Sequence, residues 1–219
     1  METANETSTV TARRRPWNKG KLIGPKPPLQ PKHVWAIRTR LQLAGRTRDL
    51  ALFNLAIDSK LRGCDVVGLK VEDVAPHGYA VDRATVRQSK TGLPVRFEIT
   101  EQTRQAIDEH LGATRKRPGD SLFHGRRGKG CCLSTRLLAV WTASIGLDPS
   151  LFGTHSLRRT KPTLIYRRTG NLRAVQLLLG HTKVEGTVRY LGIEVDDALA
   201  IAEQIDVRRG AERRRSDRR

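Results

Sequence analysis

Four residues near the C-terminal end have types and spacing that suit chemistry on an anion. His155 and Arg158 stand three apart, His181 follows Leu179-Gly180, and Tyr190 comes nine residues after His181. Residues three apart near the start of a helix share a face, so His155 and Arg158 could point at one place. A guanidinium is always charged and forks onto oxyanions, and an imidazole exchanges protons near neutrality. Each residue also has an ordinary reading. His-x-x-Arg is a common spacing, and a helical tyrosine is usually a packing residue with its hydroxyl bonded. Leu179-Gly180-His181 together with Tyr190 is far more specific than any one member.

The elements that must hold these residues follow from periodicity. Ser156 to about Thr169 reads as a helix closed by Gly170. Asn171 caps the next helix, whose Leu172, Val175 and Leu179 face inward until Gly180 ends it. Thr182 and Glu185 have the form of a capping box, which starts a short helix with Tyr190 at its far end. Pro162 falls four residues after Arg158, where it cannot donate to the Arg158 carbonyl, at a cost of about 3 kcal/mol in a helix interior. The expectation is a later helix start or a kink beneath Arg158. Tyr166 sits mid-helix and reads as packing; Tyr79 falls in the sheet region.

Upstream, His33 to Arg40 reads as a short helix and Arg46 to Ser59 as a longer one, with Leu50, Phe53, Ile57 and Leu61 as its buried stripe. Leu61 to Asp65 turns into a short helical piece ending near Gly68. Three extended runs are expected next: Val71 to Val74, Tyr79 to Gln88, and Leu93 to Thr100. In the last, Val95, Phe97 and Ile99 alternate with Arg96 and Glu98. Ser89-Lys90-Thr91-Gly92 makes the turn, so Lys90 is expected at the tip of a β-hairpin. Thr100 caps a helix over Glu101 to Leu111, residues 112–133 are loop-like, and Ser134 caps a helix that Gly146 stops. The fold class is α+β: mainly helical, with a small antiparallel sheet.

Charge narrows the partner. The 219 residues hold 41 Lys and Arg against 22 Asp and Glu, for a net charge of +19. Residues 1–32 carry seven basic and two acidic side chains, and so do residues 208–219, which leaves the middle basic in its own right. A polyanion, with nucleic acid foremost, fits such a field. An anionic membrane surface and a merely solvated basic surface are the rivals, but the arms lack an apolar face for an interface. The domain reading is a flexible basic arm over 1–28, one domain over 29–207, and a basic tail over 208–219. Arg13, Arg14, Arg15, Lys19 and Lys21 in the arm are candidate DNA contacts. Cys64, Cys131 and Cys132 are odd in number and form no disulfide framework, which points to a reducing compartment. No His or Cys stands near Cys131-Cys132 at zinc-ligand spacing, and Gly125 to Gly130 lacks the Gly-Lys-Ser/Thr ending of a nucleotide loop. The first residues have no apolar run of the signal-peptide kind, and no stretch reaches the roughly 18 apolar residues of a membrane span. A soluble cytoplasmic protein with no metal or cofactor is expected.

Taken in order, Arg62, Lys90, His155, Arg158, His181 and Tyr190 resemble the catalytic set of the tyrosine recombinases, the phage integrase family. Leu61-Arg62-Gly63-Cys64-Asp65 is similar to that family's Leu-Arg-x-x-Glu, with Asp in place of Glu, and the likeness runs over about residues 30–207. It implies that Arg62 and Arg158 hold a scissile phosphate while His155 and His181 add donors and manage the nucleophile's proton. It implies further that Tyr190 attacks phosphorus to form a 3′-phosphotyrosine and that Lys90 protonates the departing 5′-oxygen. The ester stores the bond energy, so neither ATP nor metal is required.

The chain is similar to the short members of that family, without the N-terminal domain that closes a clamp on DNA. Double-stranded DNA is the implied partner, with a homo-tetramer on two duplexes as the working assembly. Val195 to Val207 reads as an amphipathic helix that docks on a neighbouring subunit or on its own chain. A type IB topoisomerase of the same chemistry and a non-catalytic DNA-binding protein on this scaffold are the alternatives.

Overall fold

The computed structural model describes residues 26–123 and 134–193. Helix α1 (Pro31–Leu43) starts with proline at its first turn, where no backbone donor is needed, and buries Val34, Ile37 and Leu41. Helix α2 (Thr47–Ser59) is enclosed on every side from Asp49 to Ser59. A helix apolar around most of its girth belongs inside a fold, and the other elements are arranged around α2. Phe53 on it meets Trp141 edge to face at 5.4 Å.

Short helix α3 (Gly63–Val67) follows Arg62. Next comes α4 (Val71–Val74), a single helical turn where a strand was expected. Its acidic residues decide the matter: Asp73 accepts from the Lys70 amide at 2.8 Å, and Ala75 N–H closes the turn on the Val71 carbonyl. The predicted second strand shortens to β1 (Arg83–Arg87), because Ala80 N–H is bound by Asp108 and Val81 N–H by Val74. It pairs antiparallel with β2 (Pro94–Glu98), Ala84 opposite Phe97 and Val86 opposite Val95. Val95, Phe97 and Ile99 are buried, as their alternation requires.

Helix α5 (Glu101–Thr114) and α6 (Thr135–Ala143) pack on this core, and Ser134 caps α6 by accepting from the Leu137 amide. Thr100 stands at the N-cap of α5, but its hydroxyl is given to Asp58 at 2.7 Å and caps nothing. After a 3₁₀ turn at Pro149–Leu151 come α7 (Thr154–Thr169), α8 (Leu172–Leu179) and α9 (Val184–Leu191). A small second cluster of Val175, Leu179 and Leu191 joins these three helices, with Tyr166 and Tyr190 packed against it.

Three details differ from expectation. Helix α7 starts at Thr154 and runs as one helix through Pro162, so a later start is not its way of accommodating the proline. Helix α9 is capped at Lys183 without a side-chain bond, and Thr182 serves through its carbonyl, which accepts from Gln176 Nε2 at 3.2 Å. Lys26, assigned by sequence to the arm, is tied by its ammonium to the Ser150 and Phe152 carbonyls at 2.8 and 3.0 Å.

Beneath α7 lies an ionic cluster. Buried Asp58 accepts from Lys161 at 2.8 Å, from Thr103 at 2.6 Å, and from Thr100. Lys161 also reaches Glu98, which pairs with fully buried Lys60 at 2.9 Å. Among the described residues no helix is long and apolar enough to cross a membrane.

Candidate active site

Helix α7 supplies His155 and Arg158 from its first turns. Arg158 is buried, and its Nη2 donates to the Leu179 carbonyl at the end of α8 at 3.1 Å. Helix α8 stops there because Gly180 takes a left-handed conformation with φ +66°. A Cβ at Gly180 would stand 2.7 Å from Val95 Cγ2, so the turn and the hairpin press together at glycine distance. Gln176 then holds the turn by donating to the carbonyls of His181 and Thr182.

His181 is fixed by Thr187 Oγ1, 3.1 Å from its Nδ1. Its ring meets the Tyr190 ring edge to face at 5.3 Å. Two guanidiniums lie over that tyrosine, with the Cζ of Arg158 at 5.7 Å and that of Arg159 at 5.5 Å from the ring centre. The Tyr190 hydroxyl is buried and has no hydrogen-bond partner among the described residues. Burial pushes its pKa up to about 12, although Arg158, Arg159 and Arg62 pull it the other way. Burial, followed by the charges of Arg158, Arg62 and Arg159, lowers the pKa of His155. Burial followed by Arg158 and Arg62 does the same for His181. Both shifts favour the neutral form of the imidazole.

Arg62 enters from the extended residue before α3 and donates to Gln88 Oε1 at the end of β1. Five of the six expected residues thus share one electrostatic neighbourhood. Lys90 sits in the hairpin turn, exposed, with no hydrogen bond or ion pair among the described residues. That turn is pinned from below: Ser89 N–H donates to buried Asp65 at 2.9 Å. Asp65 therefore acts on the turn that carries Lys90.

A cavity of about 390 Å³ opens beside Tyr190, lined also by His155, Arg159, Gly153 and Lys26. Arg159 was not found from sequence. Next to Arg158 on a helix it faces about 100° away, and it reaches Tyr190 only because α9 folds back over α7. Its Nη1 donates to the Lys26 carbonyl at 3.0 Å. Arg13, Arg14, Arg15, Lys19, Lys21, Cys131-Cys132 and the Val195–Val207 segment lie outside the described residues.

The sequence profile of the Phage integrase family matches residues 29–195. The chain belongs to the phage integrase family. It is 31% identical over 156 residues to the probable integrase/recombinase YoeC of Bacillus subtilis, covering 70% of this chain and 82% of that protein. It is 31% identical over 162 residues to the tyrosine recombinase XerC of Mesorhizobium japonicum, 71% of this chain and 50% of that one. It thus spans about half the length of that XerC. The XerA recombinase crystal structure superposes with a TM-score of 0.66 at 20% identity, over 83% of this chain and 64% of that one. The XerH recombinase, bound to a palindromic difH substrate in a post-cleavage complex, gives 0.62 at 19% identity, over 81% and 54%. At these identities the likeness is one of fold, and it is the fold of recombinases.

Proposed function

We propose that this phage integrase family member is a site-specific DNA recombinase that cuts and rejoins DNA through Tyr190. The observation that carries the reading is the phenol of Tyr190, buried under the guanidiniums of Arg158 and Arg159 and against the ring of His181.

A scissile phosphate brings negative charge to the place where Arg62 and Arg158 converge. Their donors match the non-bridging oxygens, on which charge grows as phosphorus gains a fifth ligand. A phenol held near 12 does not ionise on its own at neutral pH, so its proton must leave as the O–P bond forms. Neutral His181 or His155 can accept that proton, and a lowered pKa keeps each ready to do so. Tyr190 Oη bonds to phosphorus, the 5′-oxygen leaves, and Lys90 at the exposed hairpin turn supplies its proton. Attack by a 5′-hydroxyl on the 3′-phosphotyrosine reverses the step and restores the phenol. The arm residues Arg13, Arg14, Arg15, Lys19 and Lys21 hold the DNA backbone. A tetramer on two duplexes, working in the cytoplasm, completes the proposal. XerH, which shares this fold, is captured with difH after cleavage, and that supports the reading.

The test is incubation with a nicked duplex whose cleavage releases a short 5′-ended fragment and strands the intermediate. Wild type forms a covalent protein–DNA adduct, and Tyr190→Phe forms none. An adduct in Tyr190→Phe, or none in wild type, overturns the proposal.

A further inference from the structure

We infer that Gln88 is a positioning residue that sets both phosphate-facing arginines at once. It is buried, 1% exposed, at the end of β1. Its side-chain amide splits its two functions. The oxygen accepts from Arg62 Nη1 and from Thr91 Oγ1 at 3.2 Å, and the nitrogen donates to the Leu179 carbonyl at 3.2 Å. That same carbonyl accepts from Arg158 Nη2 at 3.1 Å. One amide therefore links Arg62 to the acceptor that anchors Arg158.

The backbone of Gln88 completes the link. Its N–H donates to Leu93 at 3.0 Å, and its carbonyl accepts from Gly92 at 2.8 Å, which closes the turn bearing Lys90. Gly180, next to His181, lies where a Cβ would come within 3.2 Å of Gln88 Nε2. The residue thus joins the hairpin, α3 and the end of α8 at a single point. Only a neutral amide fits the position. A carboxylate would repel the Leu179 carbonyl and hold Arg62 too firmly, while an apolar side chain would leave Arg62, Thr91 and Leu179 without it.

The inference rests on the recombinase reading, and the experiment keeps the two apart. Gln88→Met preserves length and removes all three side-chain bonds, those to Arg62, Thr91 and Leu179. Single-turnover cleavage is measured at saturating DNA on two nicked substrates, one with a natural scissile phosphate and one with a neutral methylphosphonate. On the natural phosphate, Gln88→Met cleaves roughly 10- to 100-fold slower, the scale of a misplaced catalytic group, while its Kd for DNA stays within about threefold. On the methylphosphonate, which lacks the charge the arginines neutralise, the variant and wild type differ by less than about threefold. Gln88→Glu is slow on natural DNA as well, which separates the amide from the space it fills. Equal loss on both substrates, or no loss on the phosphate, overturns the inference while the recombinase reading stands. A wild type that forms no adduct on either substrate sinks the reading, and the inference with it.

Discussion

Gly180→Ala tests whether the turn before His181 is set by contact with the hairpin. Two costs can be worked from the structure. The residue has φ +66°, and an L side chain in the left-handed region costs about 1–2 kcal/mol. The new Cβ also stands 2.7 Å from Val95 Cγ2, inside any ordinary contact, and such overpacking costs about 1–3 kcal/mol. The variant should therefore lose about 2–5 kcal/mol. Val95→Ala alone removes buried carbon from a side chain that is 3% exposed and should cost about 2 kcal/mol. The double variant removes the clash and keeps the backbone strain, so its loss should fall short of the sum by about 1–3 kcal/mol. Urea unfolding of the four proteins, with unchanged m-values, gives the numbers. Additivity within about 0.5 kcal/mol would refute the close approach of turn and hairpin.

Three further outcomes follow from the same geometry. Pro162→Ala restores a donor for the Arg158 carbonyl, so it should raise stability by up to about 3 kcal/mol in denaturant unfolding; no gain would mean α7 carries no strain there. Tyr190 keeps its proton in the fold up to about 12 while the unfolded chain loses it near 10.0, so stability falls as pH rises across that window. At about 1.4 kcal/mol per pH unit the loss reaches up to about 3 kcal/mol, and an equal alkaline loss in Tyr190→Phe would contradict it. The Asp58 carboxyl is pushed up by burial but more strongly pulled down by Lys161, Thr100 and Thr103, so its pKa lies below the ordinary 3.8. It stabilises the fold above that value, and this contribution is lost as pH falls through the lowered pKa. Asp58→Ala should cost about 3–5 kcal/mol at pH 7 by leaving Lys161 and both threonines without it; a loss under about 1 kcal/mol would show that the cluster beneath α7 is dispensable.

What the sequence revealed and what it hid divide along a physical line. Local signals held where one short stretch contains both partners. Asn171 accepts from Ala174 N–H, Gly170 and Gly180 end their helices in the left-handed region, and Val95, Phe97 and Ile99 alternate inward. Val71 to Val74 misled because four residues with two valines fit a strand as well as a helical turn, and the Asp73 bond to Lys70 decides between them. Thr182 misled because Gln176, from the helix before, satisfies that turn. Thr100 was diverted by Asp58, 42 residues away. In the site, Tyr190 with His181, and His155 with Arg158, were legible because each pair is close in sequence. Arg159, Lys26 and Gln88 were not, since their importance comes from contacts 26 to 133 residues away, beyond the reach of any local pattern, such as Gln88 to Arg62, Gln88 to Leu179 and Lys26 to Arg159.

Whether Tyr190 is the nucleophile is decided by identifying the residue that bears the DNA. Wild-type protein trapped on the nicked duplex is digested with nuclease and protease, and the nucleotide-bearing peptide is sequenced by mass spectrometry. A 3′-phosphonucleotide is expected on Tyr190, in the peptide that follows Arg189. A nucleotide on Tyr79, Tyr166 or any other side chain, or one joined through its 5′ end, would contradict it.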